Sequence, residues 1–507
     1  MTHVPHRQPR SAGRNLQRAL WSVVCTACCT AGLPGQEPAP QAEPVTPNVL
    51  LIVLDDLNDW IGCLGGHPQA RTPHLDALAA EGVLFTNAYC AAPACNPSRT
   101  ALFSGRAPWK TGLIRNQQVF RDLLPDEVLL PRHFADHGYH AAGGGKLLHY
   151  IVDARSWDAY FPSLERENPF PRTRQPQERP VSLPREPWMY VEADWGPVDA
   201  TRDEYGGDVL VAQWAAGELT RPHDEPFFRA AGIYRPHEPW FLPREDFEQF
   251  SPEETELPPG YRADDLDDVP EAGQSLARNR YLAHIRAHGL WKSGVAAYLA
   301  SITFADAMVG QILDALDRGP HRDTTVVVVT SDHGWHLGEK EHWQKFTGWR
   351  ASARVPLLIR VPRGTPGLPQ GSPAGSRCDA AVSLLDVFPT LTELCAVPAK
   401  PGVDGRSLVP LLQDPQRRDW PGTVRTQLGQ PDAFALSGRR FRYIRYGDGG
   451  EELYDIARDP HEWTNLVTAP EHAARVEALR KIAADELSAP GTSRPPSEPG
   501  EARSPRR

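Results

Sequence analysis

Apolar residues in this chain gather in short unbroken runs separated by amphipathic stretches. Val49-Leu50-Leu51-Ile52-Val53-Leu54 follows Pro47-Asn48 and stops at Asp55-Asp56, while Thr324–Thr330 (TTVVVVT) stops at Ser331-Asp332-His333-Gly334. Runs that are apolar throughout, rich in β-branched residues and bounded by Pro or polar groups, predict strands buried on both faces of a sheet. Val83–Asn87, Pro226–Ile233 and Val355–Val361 read the same way. Between them the spacing turns helical. Thr72-Pro73 opens a helix with Thr72 as N-cap and Leu75, Leu78 and Ala79 on its inner face. Pro97–Ser104, Leu129–His137, Asp208–Leu219 and Leu384–Leu394 follow, and Gly294–Leu316 is a long helix with Val295, Leu299, Ile302, Val309, Ile312 and Leu316 in phase. Alternation of this kind predicts a layered α/β domain. After Pro410 the texture changes to short alternating strands, including Phe441–Tyr446, and a last helix spans Pro470–Leu487.

Some segments fall outside this pattern. Arg155–Pro187 is rich in Pro, Arg and aromatic residues and reads as an irregular excursion, and Ser251–Gln274 is an acidic, Pro-rich surface loop at the rim of a pocket. Arg10, Arg14 and Arg18 followed by the apolar run Ala19–Leu33 and Pro34-Gly35 have the layout of a secretory signal peptide. Thr26-Ala27-Cys28 faintly resembles a lipoprotein cleavage box. The expected organisation is a leader at 1–36, a linker at 37–46, a catalytic domain at 47–412, a smaller C-terminal subdomain at 413–488 and a disordered Pro/Ser/Arg-rich tail at 489–507. An exported protein, periplasmic or extracellular and without a membrane span in its mature chain, is the expectation.

Composition narrows the chemistry. Among 507 residues, 54 are basic and 64 acidic, a net charge of −10 that argues against a nucleic-acid partner and requires any anionic substrate to meet a locally positive pocket. Proline reaches 51, about twice the ordinary share, which implies long irregular connections. Cys25, Cys28 and Cys29 leave with the leader, so Cys63, Cys90, Cys95, Cys378 and Cys395 remain, an odd number that fits one cysteine used chemically. Cys378 with Cys395 is a conceivable disulfide, although spacing alone does not establish it.

Ligands of parallel α/β sheets bind beyond the carboxyl ends of strands. Asp55-Asp56 and Asp332-His333 stand at two such ends. Either pair alone reads equally as a solvated strand end; together they offer hard oxygen ligands, which suit Ca²⁺ or Mg²⁺ better than zinc. Cys95-Asn96-Pro97-Ser98-Arg99 feeds a helix, with Pro97 suited to its first position, and a helix N-terminus welcomes an anion or lowers a thiol's pKa. A buried structural cysteine is the plain alternative. Gly143-Gly144-Gly145-Lys146-Leu147-Leu148-His149 places a lysine and a histidine three apart, on one face of even a single turn. His237 lies between Pro236 and Pro239, whose rigid backbone suits a fixed donor. The charged run Gly338–Phe346 follows directly on the second strand-end pair.

Cys-x-Pro-Ser-Arg resembles the signature of type I sulfatases, in which the cysteine is oxidised to formylglycine. The other motifs occur in that family's order between Pro47 and Leu466, where Glu452–Asp455 and Asn465-Leu466 resemble its C-terminal strand-turn motif. The resemblance implies an alkaline-phosphatase-like sandwich: a large mixed, mostly parallel sheet and a smaller C-terminal α+β subdomain. It implies metal ligation by Asp55, Asp56, Asp332 and His333 together with modified Cys95, with Ca²⁺ ahead of Mg²⁺; His333 stands where many relatives carry Asn. It assigns Lys146 and Lys345 to the sulfate, with Lys340 and His342 as less certain neighbours of Lys345. His149 goes to the formylglycine hydroxyl, His237 (or Lys345) to the departing oxygen, and Arg99 to holding the modified residue.

A formylglycine-generating enzyme is the implied maturation partner. Leu54–Trp60, the C-N-P-S-R variant and G-E-K-x-H-W-x-K-F most resemble bacterial iduronate-2-sulfatase-like enzymes, which makes a 2-O-sulfated uronate in a saccharide the leading substrate. Rival expectations are a phosphonate or phosphate monoester hydrolase, a choline-sulfatase-like enzyme with an aromatic or acidic cage for the quaternary ammonium, and a sulfated-glycan-binding protein without turnover.

Overall fold

The computed structural model describes residues 46–488 apart from Glu167. The leader, the Cys28 box, all but the last residue of the linker and the tail lie outside the described residues. The strands that organise the larger sheet are β1 (Asn48–Leu54), β2 (Val83–Tyr89), β3 (His140–Gly145), β4 (Ala159–Phe161), β5 (Phe227–Ile233), β6 (Thr325–Ser331), β7 (Arg354–Val355), β8 (Leu357–Arg360) and β9 (Ser376–Ser383). Strands β6, β1, β5, β3 and β4 run parallel as one block. Strand β8 joins β6 antiparallel and also pairs with β2, and β9 lies parallel to β2. The single strand expected over Val355–Val361 is broken at Pro356, which lacks an N–H and whose carbonyl accepts the Thr330 hydroxyl at 2.8 Å.

Strand β1 shows why its run is apolar throughout. Leu50, Ile52 and Leu54 enter one core, shared with α1 (Pro73–Glu81), while Val49, Leu51 and Val53 enter another, shared with α2 (Cys95–Ser104) and α3 (Leu130–Ala135). Helices α4 (Asp208–Thr220) and α5 (Trp291–Arg318) cover the first face, and α6 (Val387–Leu394) the second. Each such side chain is worth about 1.5–3 kcal/mol when buried. Among the described residues α5 is the one helix long and apolar enough to cross a membrane, and it lies mostly inside the core.

Helix starts depart from the local reading. Thr72 does not cap α1; its hydroxyl accepts Gly62 N–H at 2.8 Å. The free amides of His74 and Leu75 go instead to the Asp306 carboxylate on α5, at 3.1 and 2.9 Å. A carboxylate from the neighbouring helix thus replaces the local cap. Helix α2 begins at Cys95 rather than Pro97, with Pro97 at its third position, where an N–H is still unnecessary.

A separate antiparallel meander follows: β10 (Thr423–Gln427), β11 (Phe434–Gly438), β12 (Phe441–Arg445) and β13 (Glu451–Asp455). Phe434, Leu436, Tyr443 and Leu453 pack on α7 (Ala473–Ser488), whereas Ala435, Ile444 and Tyr454 face Leu266, Val269 and Trp349. The acidic segment 251–274 is therefore more than a surface loop, since Leu266 and Val269 are wedged beneath this meander. Cys378 and Cys395 are both free, so the conceivable disulfide is not formed.

Candidate active site

Four parallel strands deliver the chemistry to one edge. Leu54 of β1 lies opposite Ser331 of β6 and Ile233 of β5, so Asp55, Asp332 and the Tyr234–Trp240 turn leave the sheet side by side. Gly145 of β3 pairs with Gly232 of β5, and Lys146 follows. Both glycines are needed there: a Cβ on Gly145, at φ +73°, would lie 2.1 Å from the Gly232 carbonyl oxygen, and one on Gly232 would lie 2.0 Å from that of Lys146. This close approach brings Lys146 N–H within 2.9 Å of the Gly232 carbonyl and aims its side chain inward.

Cys95 is fully buried at the first turn of α2. Around its Sγ stand Lys345 Nζ at 3.1 Å, His333 Nε2 at 3.3 Å, Asp55 Oδ1 at 3.6 Å and Lys146 Nζ at 3.8 Å, with His149 close by. Burial alone would raise this thiol, but Lys146, Lys345 and His333 overcome that and hold it well below the ordinary thiol value. Cys90, equally buried but without such cations, is pushed up by burial.

Arg99 sits beneath the cysteine, one turn along α2. Its Nε donates to Asp332 Oδ2 at 2.8 Å, its Nη2 lies 3.4 Å from Asp55 Oδ1 and donates to Leu54 O, and its Nη1 donates to Lys146 O. It therefore ties the two strand-end carboxylates to the chain carrying Lys146. Asp56 adopts φ 65°, rare for a residue with a side chain; its N–H donates to Asp332 Oδ1 at 3.2 Å and its carbonyl accepts Tyr298 O–H at 2.7 Å.

These residues suit a hard divalent cation. Ligand atoms of Asp55, Cys95, Asp332 and His333 lie within 4.8 Å of one another, as do those of Asp55, Asp56, Cys95 and His237, and all are buried. Asp56 Oδ2 accepts no hydrogen bond within the protein. Converging carboxylate oxygens with unused lone pairs are what Ca²⁺ or Mg²⁺ requires. Burial pushes Asp332 up to about 7 despite Arg99, and it would lower His333, which Asp332 instead raises to about 9. Asp55, penalised by burial, is held below the usual carboxylate range by Lys146 and Arg99.

The sulfatase family signature matches residues 47–397, and that of the C-terminal region of N-sulphoglucosamine sulphohydrolase matches residues 338–487. A sulfatase of Formosa agariphila is 33% identical over 453 residues, covering 87% of each chain. The chain belongs to the sulfatase family. The iduronate 2-sulfatase of Mus musculus is 29% identical, over 70% of this chain and 69% of its own. Two solved structures share the alkaline-phosphatase-like fold. One is a 2-O glycosaminoglycan sulfatase (TM-score 0.68, 22% identity, 88% of this chain and 92% of that one). The other is a phosphonate monoester hydrolase from Silicibacter pomeroyi (TM-score 0.70, 24% identity, 87% and 95%). Sulfatases use a metal and a formylglycine made from cysteine, and Cys95 of this sulfatase is in position for that modification.

The Gly338–Phe346 run of the sulfatase separates its two lysines. Lys345 Nζ, besides its approach to Cys95, lies 2.8 Å from Asp56 Oδ1. Lys340 points away, onto Asp265 Oδ1 at 2.7 Å and the Glu462 carbonyl, beneath the C-terminal meander. His342 is a brace: its ring nitrogens meet the carbonyls of Ala277 at 2.8 Å and Lys345 at 2.9 Å. His237 is buried with Nε2 3.8 Å from Asp56 Oδ2; burial would lower it, but Asp56 raises it.

One group escaped the sequence reading. Tyr150, Tyr234 and Phe170 form a box around the Lys146 ammonium, with ring centroids 5.0, 5.1 and 5.9 Å away. Behind it, Glu192 Oε2 accepts the hydroxyls of Tyr150, Tyr190 and Tyr234 at 3.0, 2.6 and 3.2 Å. Glu192 and Phe170 stand in stretches with no motif; only the position of Tyr150 next to His149 offered a signal.

Proposed function

We propose that this sulfatase removes sulfate from a sulfated carbohydrate, with a 2-O-sulfated uronate as the leading substrate and Ca²⁺ as the resident ion. The observation that carries the reading is Cys95 held between Lys146, Lys345 and His333 at the mouth of a carboxylate cluster. Formylglycine at position 95 supplies a hydrated aldehyde as nucleophile, and a divalent cation held by Asp55, Asp56, Asp332 and His333 stabilises charge on the sulfate oxygens. Lys146 and Lys345 bind those oxygens and add positive potential in a buried site, where fixed charges act most strongly. His237, raised by Asp56, donates toward the departing sugar oxygen. His149, lowered by burial, is neutral and suited to take a proton from residue 95. Arg99 keeps Asp55 and Asp332 in register. Likeness to iduronate 2-sulfatase supports the uronate.

A phosphonate or phosphate monoester hydrolase is the second reading, favoured by the likeness in fold to the Silicibacter enzyme. Likeness to the choline-sulfatase of Rhizobium meliloti, 28% identical over 84% of this chain, supports the choline-sulfatase alternative, and choline sulfate belongs among the substrates tested. The deciding experiment measures sulfate release from defined sulfated disaccharides beside a phosphate monoester, after mass spectrometry has verified formylglycine in the residue-95 peptide. Release confined to 2-O-sulfated uronates is expected. Faster phosphate than sulfate release by modified protein would overturn the sulfatase activity and leave the hydrolase.

A further inference from the structure

The aromatic box has a second side. Tyr150, Phe170, Tyr234 and Glu192 also line a cavity of about 340 Å³, whose far wall carries Arg166, Arg172 and Arg179 from the irregular excursion. Some arginines elsewhere lean on carboxylates: Arg132 on Asp136, Arg202 on Asp246, Arg262 on Asp264 and Arg480 on Glu451. Among the described residues, Arg166, Arg172 and Arg179 have no such partner. Arg235 lines the cavity as a fourth cation, and the two carboxylates in the lining are hydrogen-bonded to other groups. Glu192 is taken by three tyrosine hydroxyls, and Asp208 accepts Tyr234 N–H at 2.7 Å and Arg235 N–H at 2.9 Å.

The wall is built rather than loose. The buried Asp194 carboxylate accepts the amides of Val181, Ser182 and Leu183 at 2.8, 3.1 and 3.2 Å, which fixes the end of the excursion. Gly207 N–H donates to the Arg172 carbonyl at 2.9 Å and Thr173 bridges to Gly206, fixing its middle. Arg179 lies 4.6 Å over the Phe241 ring. Four guanidinium groups against two carboxylates give the lining a positive balance in a protein of net charge −10, which favours an anion, and guanidinium geometry matches carboxylate and sulfate bidentately. Tyr150 joins this cavity to the catalytic centre, with its ring on the Lys146 ammonium and its hydroxyl on Glu192.

We propose that the cavity is a subsite for a second anionic group, a carboxylate or a sulfate, on the sugar next to the one bearing the scissile ester. It rests on the carbohydrate-sulfatase reading above and adds to it an anionic group on the neighbouring sugar. The test compares wild-type enzyme with Arg166→Gln/Arg172→Gln, and with a triple variant that adds Arg179→Gln. Matched sulfated disaccharides carry a carboxylate, a sulfate or a neutral group on the neighbouring sugar. The ratio of kcat/KM for a charged over the neutral neighbour is expected to fall at least tenfold in the triple variant and partly in the double one, through KM. The carboxylate and sulfate arms identify which anion is read. An unchanged ratio, including an equal loss on all substrates, overturns the proposal. Calorimetric titration with the desulfated disaccharides reads the cavity without turnover: wild-type enzyme that releases no sulfate yet binds the charged disaccharide through these arginines would sink the activity and keep the subsite.

Discussion

Two buried ionic clusters lie at the two ends of the Gly338–Phe346 run, and they are built from the same residue types. At the seam with the C-terminal meander, Lys340 meets Asp265, and Arg442 Nη1 meets Glu462 Oε1 at 2.8 Å; Glu462 Oε2 accepts Arg350 N–H at 2.7 Å. Nearby Glu452 takes Trp349 Nε1–H at 2.8 Å and the hydroxyls of Tyr446 and Tyr454. Each carboxylate there faces a cation or a donor. In the catalytic centre Asp55, Asp56 and Asp332 also meet cations, namely Lys146, Lys345 and Arg99, but there ligand atoms of four residues, Asp55, Cys95, Asp332 and His333, converge within 4.8 Å of one another. A buried charge is tolerated when it is paired and hydrogen-bonded. Convergence of like charges costs stability and persists where a ligand offsets it. The first cluster holds the protein together; the second is arranged for something that binds.

The largest expected effect tests the second half of that contrast. Cys95→Ala is expected to lower sulfate release by roughly four orders of magnitude or more with an unchanged melting temperature; retained turnover would remove residue 95 from the chemistry. The lysines should then divide. Lys345→Met is expected to cut kcat/KM per folded molecule about 10²–10³-fold, with some loss of stability because it unpairs buried Asp56. Lys340→Met should keep kcat per folded molecule and cost about 3–5 kcal/mol in denaturant unfolding, because it strands Asp265. If Lys340→Met loses activity per folded molecule as Lys345→Met does, the two clusters are not distinct in kind. Removal of divalent metal by a chelator should abolish activity and lower the melting temperature by several degrees, as linkage requires for about 2.7 kcal/mol at a hundredfold excess over Kd. Added Ca²⁺ is expected to restore both, and an unmoved melting temperature would count against a metal between the carboxylates.

The smallest effect is a pH slope. Burial pushes Asp265 up to about 6 despite Lys340, against an ordinary 3.8. A raised folded-state value means this group favours folding below about pH 4 and loses that contribution as pH rises through 6. The stability difference between wild type and Asp265→Asn should therefore change between pH 4 and 6 and stay flat above 7; a flat difference throughout would show that Asp265 is not strained.

The unbroken runs of β1 and β6 and the residues at their carboxyl ends were legible, because burial on both faces leaves a signature that needs no partner to be seen. Asp55, Asp56, Asp332 and His333 follow those runs directly, and Cys95, Lys146, His149, His237 and Lys345 sit in motifs that the structure gathers around one sulfur. The start of α1 was not legible, since Asp306 caps His74 and Leu75 from 232 and 231 residues away in sequence, and neither was the break at Pro356. Arg99 was legible as a site residue but not as a clamp on two carboxylates. Phe170 and the three cavity arginines were invisible, for they belong to a segment whose composition predicts only irregularity, and Glu192 stands just beyond it in a stretch with no motif.

The sequence by itself determined which strands are buried, where the chain turns polar, and what chemical groups stand at those points. These are local properties, set by the solvation of each side chain and the spacing of its neighbours. The tertiary structure decided which like charges converge and which are separated, that Lys345 turns inward while Lys340 turns to the seam, and that an irregular loop becomes an arginine-lined wall. Those outcomes depend on distances between residues far apart in the chain, and electrostatic energy in a buried site is governed by such distances rather than by order along the chain.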